Sequence, residues 1–190
     1  MTTQRWWMVR AGRGSDLLED FLGGHRVAIG FIDADVSGCT DKSAIRALVQ
    51  GARPSESPAQ IDGAASQLYR FKSTLAKGDA VVTFDTDARV YHVGTITSDY
   101  RYVPSGVMRH VREVTWTARV AREALTVPTR NSLGSSLTLF AIEGTARDEL
   151  VARVGDAAPP APQPQESTAQ DLQAYFEETE RRAAELIADA

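Results

Sequence analysis

Residues 75–99 constrain the fold more than any other stretch, because they predict a β-hairpin. Lys77-Gly78-Asp79 is a turn signal, and residues 81–84 after it are the β-branched and aromatic types that strands prefer. A short polar turn leads into a second predicted strand at residues 90–97. Gly94, inside that second strand, predicts a β-bulge or a close approach of another group to the backbone.

Apolar spacing predicts further strands and helices on both sides of this hairpin. Strands are expected at residues 6–11, 27–31, 110–120 and 137–142, and helices at 16–21 (capped by Ser15), 41–49, 55–74 and where residues 129–135 enter a short helix. Strand 27–31 is almost wholly apolar, which predicts a central position in the sheet. The element order predicts an α+β domain with a small, strongly curved, mostly antiparallel sheet, closed into a partial barrel and flanked by helices.

The C-terminal part of the chain has a different composition. Residues 1–154 are expected to form the domain, residues 155–169 a semi-rigid linker rich in proline and alanine, and residues 170–190 an amphipathic helix. Such a helix can lead into a further domain, pack back on its own domain, or drive homo-oligomers. These three alternatives stay open on the sequence.

Composition excludes several classes of protein. The chain is 43% hydrophobic, which suffices for a core, but no apolar run is long enough to span a membrane. The first ten residues lack the apolar core of a signal peptide, and the single cysteine excludes an internal disulfide framework. A cytoplasmic location without membrane contact is therefore expected.

Charge is distributed unevenly along the chain. The net charge is −4, yet eight of the 25 acidic residues lie in 156–190, beside only two arginines. Residues 89–130 contain seven arginines and three acidic residues. This local surplus predicts either a phosphate-facing surface or an arginine-rich exposed edge of the sheet.

Residues suited to catalysis or metal binding are scattered. The three histidines lie in unrelated segments, without the spacing of metal ligands, and Cys39 has no neighbouring base. The acidic pairs Asp33/Asp35 and Asp85/Asp87 lack the spacing of a calcium loop. No catalytic residue, metal or cofactor is therefore predicted, and the chain is expected to be a binding module.

The hairpin also carries a family resemblance. The residues concerned are Leu75, Lys77, Gly78, Asp79, Val81, Val82, Phe84, Val93, Gly94 and Ile96, joined by the segments 7–12, 27–31, 100–102 and 129–135. In this order they resemble the EVE-like module of the PUA/YTH superfamily, which precedes Mrr-type restriction endonuclease domains. The resemblance covers about residues 5–145.

The resemblance implies a pocket that holds a modified base flipped out of its helix. Base-binding candidates are Trp7, Phe31, Asp33, Ser37, Tyr100, Tyr102, Asn131 and Ser132, and phosphate-binding candidates are Arg10, Arg101, Arg112 and Arg130. Phe31 ends a strand and precedes a polar loop, which predicts a position at the rim of the sheet. The family often has tryptophan there, so stacking on Phe31 is expected to be weaker. Asn131 and Ser132 stand where a helix is predicted to begin, so they are candidates for a ligand contact or for its N-cap.

The resulting expectation is recognition of methylated or hydroxymethylated cytosine in double-stranded DNA, as the specificity module of a modification-dependent restriction system. Cleavage would belong to a nuclease domain beyond residue 190 or to a separate subunit. One alternative is a reader of modified RNA on the same fold. Another is a small-molecule or protein-interaction sensor whose tail helix drives oligomers.

Overall fold

The computed structural model describes residues 4–155, which contain seven strands and five α-helices. The elements in chain order are β1 Trp6–Val9, α1 Leu18–Gly23, β2 Arg26–Ile29, α2 Lys42–Ala52, α3 Pro58–Tyr69, β3 Ala80–Asp85, β4 Val90–Ile96, β5 Arg101–Tyr102, β6 His110–Ala121, α4 Val127–Leu133, β7 Leu139–Ile142 and α5 Gly144–Gly155. No helix within 4–155 is long and apolar enough to cross a membrane.

The strands form one mixed sheet in the order β2-β6-β4-β3-β1-β7, and β5 pairs with the start of β6 on the edge opposite β2. Only the β1–β3 pair is parallel; the other pairs are antiparallel. The sheet curves into a half-barrel with helices beside it, which confirms the predicted α+β class.

The predicted hairpin is β3 and β4, and it lies at the centre of the sheet. The predicted bulge is confirmed, because the pairing of β4 with β6 shifts register between Val93 and Gly94. A Cβ on Gly94 would lie 2.6 Å from Val114 Cγ1 and 2.7 Å from the Thr115 carbonyl oxygen. Glycine is therefore required at this bulge, where β6 lies close to its neighbouring strand β4.

Helices cover both faces of the sheet, so the sheet separates two cores. Along β1, Trp7 and Val9 enter the larger core with α1, α2 and α3, whereas Trp6 and Met8 enter a second core with α4 and α5. This alternation is the two-residue period of a strand. It buries every residue of β1.

The prediction that strand 27–31 is central was wrong. The strand ends at Ile29, and β2 is the last strand in the sheet order, paired through β6 alone. Its residues Val27, Ala28 and Ile29 are nevertheless buried in the larger core. Its apolar run thus reflects burial among the helices rather than a central position.

Capping side chains begin two of the predicted helices, whereas the predicted cap of α1 was wrong. Asp41 caps α2 by accepting from the amide of Ala44 at 2.9 Å, and Ser57 forms a capping box with Gln60 at the start of α3. Ser15 does not cap α1, which begins at Leu18. The Ser15 hydroxyl instead donates to the Phe84 carbonyl at 2.6 Å, joining this turn to the hairpin.

Helix α5 was not predicted from the sequence. Only Ala146 and Leu150, four residues apart, are buried along it, which is a weak periodic signal. The predicted linker and the predicted helix at residues 170–190 lie outside the described residues, apart from Gly155 at the end of α5.

Candidate functional site

A cavity of about 620 Å³ opens where four segments meet: the turn after β1, the end of β2, the loop before β6 and the connection from α4 to β7. Its lining residues are Arg10, Gly12, Arg13, Gly14, Gly30, Phe31, Met108, Gly134, Ser135, Ser136 and Thr138. Phe31, predicted to lie at the rim of the sheet, lies in the wall of this cavity.

The turn after β1 forms one wall with little side-chain bulk. Gly12 and Gly14 have φ of 77° and 63°, in the region that favours glycine. A Cβ on Gly12 would lie 1.8 Å from the Asp16 carboxylate, so the position has no room for a side chain. The Thr86 hydroxyl donates to the Gly14 carbonyl at 2.8 Å, which fixes the turn on the β3–β4 hairpin.

Arg10 holds the opposite wall in place. Its Nε donates to the Ser135 carbonyl at 3.0 Å, and its Nη2 donates to the carbonyls of Ser135 and Leu133. These bonds fix the connection that carries Ser135 and Ser136. The predicted phosphate ligand therefore lines the cavity, but much of its hydrogen-bonding capacity serves the wall.

Arg13 supplies a second cation at the cavity, and it is solvent-exposed. Among residues 4–155, the side chains that line the cavity include these two arginines and no carboxylate. The cavity wall therefore favours an anionic or electron-rich ligand.

The apolar part of the wall consists of Phe31 and Met108. Phe31 is half-buried and packs on the larger core. A Cβ on Gly30 would lie 3.3 Å from Met108 Cγ, so glycine lets Met108 lie close to the end of β2. A flat apolar ligand can contact the ring and the thioether together.

Tyr100 and Tyr102, both predicted to hold the base, instead pack around the buried His110. Their ring centroids lie 5.9 Å and 5.6 Å from the His110 ring. His110 Nε2 lies 2.9 Å from the Ile32 carbonyl, which only accepts, so Nε2 carries the proton. Nδ1 then accepts from the Tyr100 hydroxyl at 2.7 Å.

This cluster is uncharged. Burial lowers the pKa of His110, and burial together with the nearby Asp35 carboxylate raises the pKa of Tyr100. The Tyr102 hydroxyl donates to the Asp33 carbonyl. The cluster therefore supports the loop after Phe31 and is not part of the cavity wall.

Asp33 and Ser37 are exposed on that loop. The Asp33 carboxylate lies 3.5 Å from the Arg109 guanidinium. The Ser37 amide donates to Asp35 at 2.8 Å. Hydrogen bonding by Ser37, first from its side chain and second from its amide, lowers the pKa of Asp35. Both predicted residues are thus on the segment next to Phe31, although neither lines the cavity.

Two predicted site residues are in the interior. Trp7 is 4% exposed, its indole donates to Asp79 at 3.1 Å, and its edge lines a separate cavity of about 390 Å³ beside α5. Arg112 is 3% exposed and donates to the carbonyls of Phe71, Lys72 and Ser98 at 2.8–3.0 Å. The stacking role for Trp7 and the phosphate role for Arg112 do not fit these positions, and we omit both from the site.

Asn131, Ser132 and Arg130 lie inside α4 rather than before it. The helix begins at Val127, because Pro128 favours the first turn, so these residues occupy its later part. They therefore do not present free amides at a helix start. Ser132 lines a smaller, separate cavity of about 230 Å³.

The arginine surplus at residues 89–130 is partly neutralised. Arg89 pairs with Glu123 at 2.5 Å, and Arg101, a predicted phosphate ligand, pairs with Glu113 at 2.6 Å. Both pairs are solvent-exposed, so each contributes little stability, and a phosphate can compete for the cation.

Arg13, Met108, Ser135, Ser136 and Thr138 were not predicted as site residues from the sequence. The glycines on either side of Arg13 are the sequence signal that could have indicated a wall with little side-chain bulk. Met108 carried no signal, because its position depends on how the loop before β6 folds onto Gly30.

In the part of the chain that the structure describes, no group of three or more histidine, cysteine, aspartate or glutamate side chains is placed to hold a metal ion. A family model described as a domain of unknown function (DUF8426) matches residues 6–142, which span β1 to β7. No curated protein matches the chain.

Proposed function

Taking as a premise that the chain belongs to the DUF8426 family, we propose that its domain is a PUA-like, EVE-type module that binds a modified base flipped out of duplex DNA. The observation that carries the proposal is the cavity at the end of β2, with Phe31 in its wall. The family model itself defines a domain and no activity.

The size and chemistry of the cavity suit one nucleotide. About 620 Å³ lies within the range of roughly 300–1,000 Å³ that small-molecule sites occupy. Phe31 and Met108 offer an apolar surface on which a base can stack, and Ser135, Ser136 and Thr138 can hydrogen-bond to its edge. This combination is what recognition of an extracted base requires.

The cations suit the backbone of such a nucleotide. A flipped base brings its two flanking phosphates to the mouth of the pocket, where Arg13 is exposed and Arg10 lies in the wall. Arginine forms charge-assisted hydrogen bonds with phosphate oxygens. We assign Arg13 to phosphate binding, and Arg10 to holding the serine wall while adding its charge.

The modification proposed is a methyl or hydroxymethyl group on cytosine. A methyl group would add apolar contact with Phe31 or Met108, whereas a hydroxymethyl group would form hydrogen bonds with the serine hydroxyls of the wall. Asp33 and Ser37, on the loop after Phe31, are proposed as further contacts to the base edge or to the neighbouring nucleotide. The base identity comes from the family resemblance rather than from the cavity.

In this proposal the domain performs no chemistry. It would act as the specificity module of a restriction system, with cleavage by a nuclease domain or subunit. The predicted tail helix would connect the two.

The test is a binding panel of duplexes that differ in one cytosine: unmodified, methylated or hydroxymethylated, with matching RNA as a further arm. The full chain should prefer one modified duplex by about tenfold or more at fixed salt. Phe31→Ala should remove that preference. Phe84→Ala is the matched control, since Phe84 is also half-buried but packs against the second core, and it should keep the preference.

Equal affinity of the wild-type protein for every duplex would contradict the proposal. Preference for methylated RNA over methylated duplex DNA would replace it with an RNA reader. Loss of preference in both phenylalanine variants would show that the effect is general destabilisation.

A further inference from the structure

Val107 is the most exposed large apolar side chain within residues 4–155, at 86%. It lies in the loop between β5 and β6, directly before Met108, which lines the cavity. A single exposed apolar side chain is ordinary on a protein surface, so it is the place of Val107 next to a residue of the cavity wall that suggests contact with a ligand.

The loop that carries Val107 is held firmly at its base. The Val103 amide donates to the Arg109 carbonyl at 2.7 Å, and the Gly106 amide donates to the Val103 carbonyl at 3.1 Å. Below them, β5 and β6 pair through Arg101–Val111 and Tyr102–His110.

Contacts on the cavity side also fix the loop. Met108 lies against Gly30, and Arg109 donates to Asp33 on the loop after Phe31. The tip thus has a fixed position relative to the cavity. It presents one short, β-branched side chain outward, which is a stiff shape with little rotamer entropy to lose.

We propose that Val107 is a wedge: it enters the base stack of a DNA duplex and fills the space that the extracted base leaves. The inference rests on the function proposed above. Apolar side chains inserted between base steps are a known means of separating stacked bases, and extraction of a base leaves a vacancy that an apolar group can fill.

The wedge specifies the substrate as duplex rather than single-stranded. In a duplex, the vacated position faces an unpaired partner base, which a wedge stabilises by contact. In a single strand there is no opposing base, so the same side chain has nothing to fill. Val107 should therefore matter only when the target base starts out paired and stacked.

The experiment uses the full chain and its Val107→Ser, Val107→Leu and Val127→Ser variants. Val127 is the control, because it is also an exposed valine, at 56%. It lies at the first residue of α4, at the opposite end of the helix from Gly134, which lines the cavity. Two ligands carry the preferred modified cytosine: a fully paired duplex, and one in which it faces an abasic site. A 2-aminopurine beside the target reports flipping through its fluorescence.

Val107→Ser should bind the paired duplex about tenfold more weakly and give a smaller fluorescence rise. On the abasic duplex it should stay within about twofold of wild type, because that target is already unpaired. Val107→Leu should restore binding to the paired duplex, and Val127→Ser should behave as wild type on both ligands.

Three outcomes would overturn the wedge. Wild-type affinity of Val107→Ser on the paired duplex would show that the side chain does not act. Equal losses of affinity on both duplexes would show that Val107 makes an ordinary contact with DNA. A changed oligomeric state of Val107→Ser in sedimentation would show that Val107 lies at a contact between copies of the chain. If the wild-type protein binds modified and unmodified duplexes equally, the proposed function fails. The wedge proposal, which rests on that function, then fails as well.

Discussion

The two arginines of the cavity differ in what their side chains contact. Arg10 donates to backbone carbonyls of the α4–β7 connection, whereas Arg13 is exposed. Substitution of Arg10 should therefore lower mainly the stability of the fold, whereas substitution of Arg13 should lower mainly the affinity for DNA.

Arg13→Ala should weaken binding to all duplexes alike and reduce the slope of log affinity against log salt by about one. Its folding stability should change by less than about 0.5 kcal/mol. Arg10→Ala should lower the free energy of unfolding by about 1–3 kcal/mol, because part-buried carbonyls lose a charged donor. Anisotropy at several salt concentrations and urea unfolding measure the two effects.

Arg70→Ala serves as the control, since Arg70 is exposed and does not line the cavity. It should change neither stability nor specificity. An unchanged salt slope in Arg13→Ala would remove this residue from phosphate binding.

His110 should make the fold sensitive to mild acid. Burial lowers its pKa in the folded state, so between that pKa and the ordinary value of about 6.5 the unfolded chain binds more protons. Its contribution is therefore complete above pH 6.5 and is lost as the pH falls. Urea unfolding at pH 7.5 and 5.5 should show lower stability at pH 5.5.

Burial also lowers the pKa of His92, so its contribution to stability is likewise lost as the pH falls. His110→Gln should be less stable at pH 7.5 but lose less stability between pH 7.5 and 5.5. A loss equal to that of wild type would show that folding does not lower the pKa of His110.

For single residues, the sequence predicted the position of a side chain better than its role. Phe31 at a strand end and Arg10 beside a glycine turn were found, because strand periodicity and turn residues are local signals. Trp7 and Arg112 were not recognised as interior residues. Trp7 is covered by the larger core and bonds to Asp79, and Arg112 bonds to carbonyls just after α3, and these partners lie far away in the sequence.

Among the elements, the β3–β4 hairpin depends most visibly on a single residue. Gly94→Ala should lower the free energy of unfolding by about 1–3 kcal/mol, because its Cβ would overlap Val114 and the Thr115 carbonyl. Chemical denaturation measures the loss. Gly63→Ala is the control: no atom lies within 4 Å of its Cβ in α3, so it should be neutral or stabilise by up to about 1 kcal/mol. Equal effects of the two substitutions would contradict the close contact of β6 with Gly94 at the bulge.

Elements with strong local signals were predicted within a few residues. The hairpin, its bulge and the long strand β6 follow from β-branched runs and one glycine, and Asp41 and Ser57 marked two helix starts. The edge position of β2 was not predictable, because an apolar run reports burial and not neighbours. Helix α4 begins earlier than predicted. The predicted start was at Asn131 and Ser132, whereas Pro128 lies in the first turn of the helix.

At the scale of the whole domain, the curvature of the sheet creates the site. It brings together the ends of β1 and β2, the β5–β6 loop and the α4–β7 connection, which span residues 10 to 138 of the sequence. The fold class followed from element order, but this meeting of loops did not, because it depends on how strongly the sheet curves. The central claim is that a DNA base enters the space so formed.

The most direct measurement uses the three methionines, Met1, Met8 and Met108. With ¹³C-methyl methionine, the Met108 signal is assigned through Met108→Leu and followed as a duplex with the preferred modified cytosine is added. Met108 lines the cavity and Met8 is fully buried in the second core. The account predicts a ring-current shift of the Met108 methyl signal with modified duplex only, while Met8 stays unchanged. Binding of the modified duplex without any change at Met108 would contradict it.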